Sequence, residues 1–209
     1  MRLRPTSQPQ LVLLRHGQTE WSASGKHTGR TDIALVPEGE IQAKAAGAAL
    51  VDYEFGAVFA SPLQRARHTA ELAGFPDAII DENVMEWDYG PIEGHTAKEI
   101  SEFLGHEFEI FADGVFVLTD NNAKFPGENL SDVAERAKAF IAEAEKFLSK
   151  GQDVLVVAHG HFLRVLSAVW LGVDPHWAAH FELDPAAICL LGYGHHLRTI
   201  EGWNLPPAS

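Results

Sequence analysis

Cysteine is nearly absent: Cys189 is the only one in 209 residues. An internal disulfide is excluded, no CxxC pair exists, and the composition suits a reducing compartment, the cytoplasm. Long uncharged apolar runs are missing as well, so no membrane-spanning helix is expected. The N-terminal MRLRPTSQPQ carries two arginines but no apolar stretch before Leu11, so no secretory signal is read there. Basic residues are scarce, 16 against 29 acidic ones, for a net charge of −13. A field of that sign repels a phosphate polyanion and argues against a nucleic-acid partner. It leaves a small phosphorylated ligand open, because a local cationic pocket outweighs distant charge once screened. Internal repeats, low-complexity tracts and linkers are lacking too, and the length fits one domain, 1–209, with a sizeable core.

What is present alternates between strand-like and helix-like segments. Gln10–Leu14, Ala57–Ala60, Ala78–Ile80 and Val154–Ala158 read as strands, and Ala187–Gly192 with Leu197–Ile200 as a final pair around Tyr193-Gly194-His195-His196. Glu38–Val51 and Phe162–Leu171 read as helices, and Ser61-Pro62 as a helix start with serine as N-cap. Ser131–Lys150 is the clearest helix, with Val133, Ala137, Phe140, Ile141, Ala144, Phe147 and Leu148 at 3/4 spacing before Gly151. The alternation predicts an α/β fold with a mostly parallel sheet. Glu99–Lys124 has no clean period and is read as an insertion or lid, within a segment spanning 95–128.

Three strand-like runs lead directly to basic or titratable side chains: Leu11–Leu14 to Arg15-His16, Ala57–Ala60 to Arg65, and Val154–Ala158 to His159-Gly160-His161. Ligands of open α/β sheets bind beyond the carboxyl ends of the strands. If the runs are parallel neighbours, these residues converge, with Arg65 in the first turn of a helix where free N–H groups favour an anion. Guanidiniums and imidazoles around one point suit a phosphoryl group, and a neutral imidazole beside phosphorus can attack it. A leaving alkoxide needs a proton, for which Glu82, Glu86 and Asp88 are all candidates by spacing.

The pieces "LRHGQTEW", "HTGRTDIAL", "SPLQRARHTA", "EWDYGPIEG", "PGEN" and "VVAHGHFLRVL" occur in this order over residues 11 to 166. Together they resemble the first branch of the histidine phosphatase superfamily, the phosphoglycerate-mutase-like proteins. The resemblance implies a three-layer α/β/α sandwich. It implies His16 as the nucleophile that becomes phosphohistidine, Arg15, Arg65 and His159 as phosphate ligands, and Glu86 as proton donor and later base. It implies no cofactor. EWDYG with AHGHF is similar to broad acid phosphatases of actinobacterial type; RHGQTEWSxSGxxTG, AHGHxLR and GYGHH are similar to sedoheptulose-bisphosphatase-like enzymes of fungi. Both point to small phosphorylated metabolites, sugar phosphates above all, as the partner.

Mutases of the family carry extra basic residues, including an arginine just after the catalytic glutamate, and asparagine where Ser22 stands. Here Trp87 follows Glu86, and between Glu99 and Phe125 only His106 and Lys124 are basic. Hydrolysis of a phosphomonoester is therefore expected over mutase transfer, with a non-catalytic phosphate-binding protein ranked below both because no catalytic position is missing. Ser22, His27, Thr28, Trp87, Gly160 and His161 are candidates for the substrate wall, His161 standing where mutases usually have asparagine. Arg67 and His195-His196 are read as surface and Cys189 as inert core. The HxH of His159 and His161 lacks an accompanying carboxylate-rich motif, so no metal site is assigned. The oligomeric state stays open, a homodimer included.

Overall fold

The computed structural model describes residues 2–115 and 127–207. Six strands, β1 (Leu11–Arg15), β2 (Phe55–Ala60), β3 (Ile79–Ile80), β4 (Asp153–Ala158), β5 (Ile188–Gly194) and β6 (Leu197–Leu205), form one sheet in the order β3-β2-β4-β1-β5-β6. β4 lies between β1 and β2 and is parallel to both, and β3 continues the parallel set beside β2. β5 joins β1 antiparallel and turns back into β6.

Successive strand residues point to opposite faces, and here both faces are apolar. Leu11 and Leu13 of β1 join Ala57, Phe59, Val154 and Val156 in one core. Val12 and Leu14 join Ala60, Leu155 and Val157 in the other. Helices α6 (Leu130–Leu148) and α7 (Gly160–Leu171) cover the first face; α2 (Pro37–Ala49) and α3 (Gln64–Leu72) cover the second. This is the three-layer arrangement, and burial on both sides is why the central strands read as unbroken apolar runs. The two layers differ in thickness. Phe140, Phe162 and Trp170 fill the first, whereas Ala46, Ala49, Ala66 and Ala70 let α2 and α3 lie close to the sheet on the second. Among the described residues no helix is long and apolar enough to cross a membrane.

Two expectations need correction. The helix after β2 begins at Gln64, not at Ser61-Pro62, and Ser61 is not its cap. Asp32 from another loop does that work: its Oδ1 accepts from Gln64 N–H at 2.7 Å. Ser61 Oγ instead accepts from Leu63 N–H at 3.3 Å. The segment after Thr96 is less irregular than its sequence looks. It holds α4 (Ala97–Leu104), capped reciprocally by Thr96 and Glu99, and α5 (Ile110–Asp113). Ile100, Phe108, Ile110 and Phe111 are buried against the first core. Helices this short, broken at the left-handed Gly105, do not run long enough for a period to show. The rest of the supposed lid, residues 116–126, lies outside the described residues, as do Asp120 and Lys124.

The loop leaving β1 is pressed onto the first turn of α2. A Cβ on Gly17 would stand 2.2 Å from the Gly39 carbonyl oxygen, and one on Gly39 would stand 2.2 Å from that of Gln18. Both contacts are with backbone, so neither side yields without moving the chain. Gly39→Ala should therefore destabilise the fold by about 2 kcal/mol, lowering the melting temperature by about 4–8 °C. An unchanged melt would contradict this close approach.

Candidate active site

The carboxyl ends of β1, β2 and β4 deliver the polar residues to one place. His16 follows β1, and its backbone is fixed on both sides: its N–H donates to the Ala158 carbonyl at 2.9 Å, and its own carbonyl accepts from Ala186 N–H at 3.0 Å. Ala186 adopts φ 57° to make that bond, a left-handed conformation rare for a residue with a side chain. The His16 and His159 rings lie with centroids 5.2 Å apart.

Both rings are neutral. His16 is held well below 6.5 by burial first, then by Arg65 and Arg15. His159 is held down by burial, Arg65, His16 and Arg15. For His16 the tautomer follows from one contact. Nδ1 lies 2.7 Å from the Gly17 carbonyl oxygen. A carbonyl only accepts, so Nδ1 carries the proton and Nε2 keeps its lone pair. His159 Nε2 lies 2.7 Å from Ser61 Oγ, and its Nδ1 is buried without a partner.

Arg65 is fully buried. Nη1 donates to the Thr31 carbonyl at 3.0 Å, and Nη2 to those of Thr28 and Gly29 at 3.1 and 2.8 Å. Arg15 donates through Nη1 to the Leu183 carbonyl at 2.5 Å. The Nε atoms of both arginines are buried without partners among the described residues. Neither guanidinium has a carboxylate partner within ion-pair distance among the described residues. Gly160 makes room for this, since a Cβ there would lie 3.3 Å from the Arg15 guanidinium. Arg67, two residues from Arg65, is exposed.

Of the three acids, the structure brings only Glu86 into this group. Glu82 is exposed, and Asp88 accepts from Gly90 N–H and faces Arg30. The buried Glu86 carboxylate sits at the N-terminus of α7. Oε1 accepts from Trp87 and Phe162 N–H at 2.9 and 2.8 Å, and Oε2 from His161 N–H at 3.1 Å. Arg136 fixes the loop that carries it, donating to the carbonyls of Asn83 and Met85 at 2.7 and 2.9 Å. It also forms a bidentate pair with Glu128 at 2.7 and 2.8 Å.

The expected wall residues separate into two kinds. Ser22 caps α1 (Glu20–Ser24), its Oγ accepting from Thr19 N–H at 2.8 Å, and so serves the loop rather than the opening. Trp87 is fully buried, with Nε1 donating to the Glu128 carbonyl at 2.8 Å; it supports the wall from behind and has no exposed surface to offer a substrate. Thr28 contributes its carbonyl to Arg65. His27 and His161 are partly exposed and stack at 19° with centroids 6.2 Å apart.

The profile of the histidine phosphatase superfamily (branch 1) matches residues 11–206. The chain belongs to the histidine phosphatase superfamily. An acid phosphatase of Mycobacterium tuberculosis is 34% identical over 91% of this chain and 89% of its own length. Sedoheptulose 1,7-bisphosphatase of Saccharomyces cerevisiae is 33% identical over 81% and 70%. A 2,3-bisphosphoglycerate-dependent phosphoglycerate mutase of Cytophaga hutchinsonii is 34% identical over 86% and 85%. The solved structure of the open reading frame Rv3214 from Mycobacterium tuberculosis superposes with a TM-score of 0.86 at 33% identity, over 95% of this chain and 98% of that one.

Several residues that build this histidine phosphatase site were not anticipated from sequence. Ser61 meets His159, Thr69 Oγ1 accepts from Gly17 N–H at 3.0 Å, and Tyr89 hydrogen-bonds His161 Nδ1. Arg136 and Glu128 brace the Glu86 loop. The legible signal for that brace was the "PGEN" glutamate with an arginine two turns along the following helix.

Because cations next to His16 hold its pKa down, removing one should release it. Nuclear magnetic resonance of the ring should give a His16 titration midpoint below 6.5 in the native protein, so the neutral form persists as pH falls through 6.5. Arg65→Gln should move that midpoint up toward 6.5. A midpoint at or above 6.5 in the native protein would contradict the burial and charge seen here.

Proposed function

We propose that this phosphatase hydrolyses phosphomonoesters of small hydroxylated metabolites, sugar phosphates in particular, through a phosphohistidine at His16. One observation carries the reading: three buried nitrogens without partners among the described residues, Arg15 Nε, Arg65 Nε and His159 Nδ1, accompany a neutral imidazole whose tautomer leaves Nε2 as a nucleophile.

In the first step Nε2 of His16 forms a bond to phosphorus as the ester P–O bond breaks. Arg15, Arg65 and His159 hold the three transferring oxygens, whose charge is where most of the catalysis of such a step lies. Glu86 hands its proton to the leaving alkoxide. In the second step Glu86 takes a proton from water as the water oxygen attacks phosphorus, and the P–N bond breaks to return the electron pair to Nε2. The hydrogen bonds of Glu86 favour Oε2 as the working oxygen, since Oε1 already accepts two N–H groups and Oε2 only one.

Of the two guanidiniums nearest the wall that would meet the organic part of the substrate, one is neutralised by acids. Arg30 faces Asp88 and Glu128 at 3.8 and 3.4 Å, and Arg164 is bound to the carbonyls of Ala178 and Ala179 at 2.9 and 3.0 Å. Arg164, bound to carbonyls, keeps its charge, whereas a carboxylate or second phosphate would find Arg30 already paired with acids. That supports hydrolysis of a neutral, hydroxylated ester over the mutase reading, which the similarity to phosphoglycerate mutases favours. A cytoplasmic location suits the lone Cys189, whose thiol is pushed up to about 12 by burial and is inert.

Phosphate release should be assayed on sugar mono- and bisphosphates, phosphoglycerates and nucleotides. The sugar phosphates should turn over fastest. Transfer between phosphoglycerates with no phosphate released would restore the mutase reading, and binding of phosphate without turnover of any ester would make the protein a non-catalytic binder.

A further inference from the structure

The two stacked imidazoles are fixed in opposite tautomers. His27 Nδ1 lies 2.9 Å from the His95 carbonyl oxygen, so Nδ1 carries the proton. Burial lowers the pKa of this ring and keeps it neutral, which leaves Nε2 as an acceptor. His161 Nδ1 meets the Tyr89 hydroxyl. Tyr89 is buried, and its hydroxyl has no other hydrogen-bond partner among the described residues. If Nδ1 of His161 carried the proton, the phenolic hydrogen would be left buried and unpaired, at the full cost of desolvating it. The phenol therefore donates, Nδ1 accepts, and Nε2 of His161 bears the hydrogen. Burial, with Arg164, His27 and Arg15 nearby, keeps this ring neutral as well.

Neither Nε2 makes a hydrogen bond to a described residue. Tyr89 and Phe108 pack edge-on against His27, with centroids at 5.1 and 5.8 Å. Phe111 does the same to His161 at 5.4 Å. The rings thus stand in a rigid aromatic frame, one residue along the chain from the glycine that lies against Arg15. We propose that His27 Nε2 and His161 Nε2–H together read one hydroxyl group of the substrate, the first accepting its hydrogen and the second donating to its oxygen. An alcohol satisfies both atoms at once. A methylene satisfies neither, and a carboxylate or phosphate, which only accepts, sets an oxygen against the His27 lone pair. The pair is thus a specificity device for polyol phosphates over acids and simple alkyl esters. This rests on the phosphatase reading above, and it names which residues choose the substrate.

The test compares kcat/KM for three esters of equal chain length: a pentose 5-phosphate, pentyl phosphate and 5-(phosphonooxy)pentanoic acid, which carries a carboxylate and no hydroxyl. The native enzyme should prefer the pentose to each of the others by about tenfold or more. His27→Phe removes the acceptor and Tyr89→Phe frees the His161 tautomer. Each should bring the pentose-to-pentyl ratio toward one, and His27→Gln, which keeps an acceptor, should retain part of the preference. The readout is the ratio, which a general loss of activity or stability does not move. Ratios unchanged in both phenylalanine variants, or a native enzyme without preference, overturn the hydroxyl-reading pair and leave the phosphatase reading intact. Failure of the native enzyme to release phosphate from any of the three and from 4-nitrophenyl phosphate overturns both.

Discussion

Arg65 has no exposed surface and, among the described residues, no carboxylate partner, and the rest of the site is arranged around that. A buried guanidinium must have its donors met, and three backbone carbonyls of the Thr28–Thr31 loop do so. Carbonyls satisfy the hydrogen bonds without cancelling the charge. The positive field therefore survives and adds to burial in lowering the pKa of both His16 and His159, and Nε has no partner among the described residues. Had an aspartate held Arg65, burial would still hold the His16 pKa down, but part of that effect and the unmet demand for an anion would be lost.

The sheet makes that arrangement affordable. β4 pairs with β1 and β2 in parallel, so three strand ends finish at one level, and two apolar cores clamp the strands from either side. The groups that must not move are held by backbone: His16 by Ala158 and Ala186, and Glu86 by the first N–H groups of α7. The close approach of Gly17 to Gly39 then sets how the His16 loop leaves β1.

Much of this was legible in the sequence. The apolar runs, the 3/4 spacing of α6 and the order of motifs identified the α/β fold, and the resemblance selected Glu86 from three acids that spacing could not separate. What was hidden was whatever depends on backbone atoms or on a partner far along the chain. The start of α3 was misplaced because its cap, Asp32, comes from another loop. The carbonyls that hold Arg65 leave no trace in residue identity. Ser22 reads as a wall residue from its place where mutases carry asparagine and Trp87 from its place beside Glu86; the structure puts Ser22 in the capping box of α1 and buries Trp87. The pairing of His27 with His161 joins positions far apart in sequence, and their tautomers are set by neighbours that no motif includes.

The central claim is that His16 Nε2 takes the phosphoryl group. The most direct measurement is rapid mixing with a phosphomonoester, quenching in base to preserve phosphoramidates, and locating the phosphoryl adduct by peptide mass spectrometry. The account predicts an adduct on His16 that forms and decays at the rate of turnover and is absent in His16→Ala. An adduct on His159, or steady phosphate release with no covalent intermediate, would contradict it.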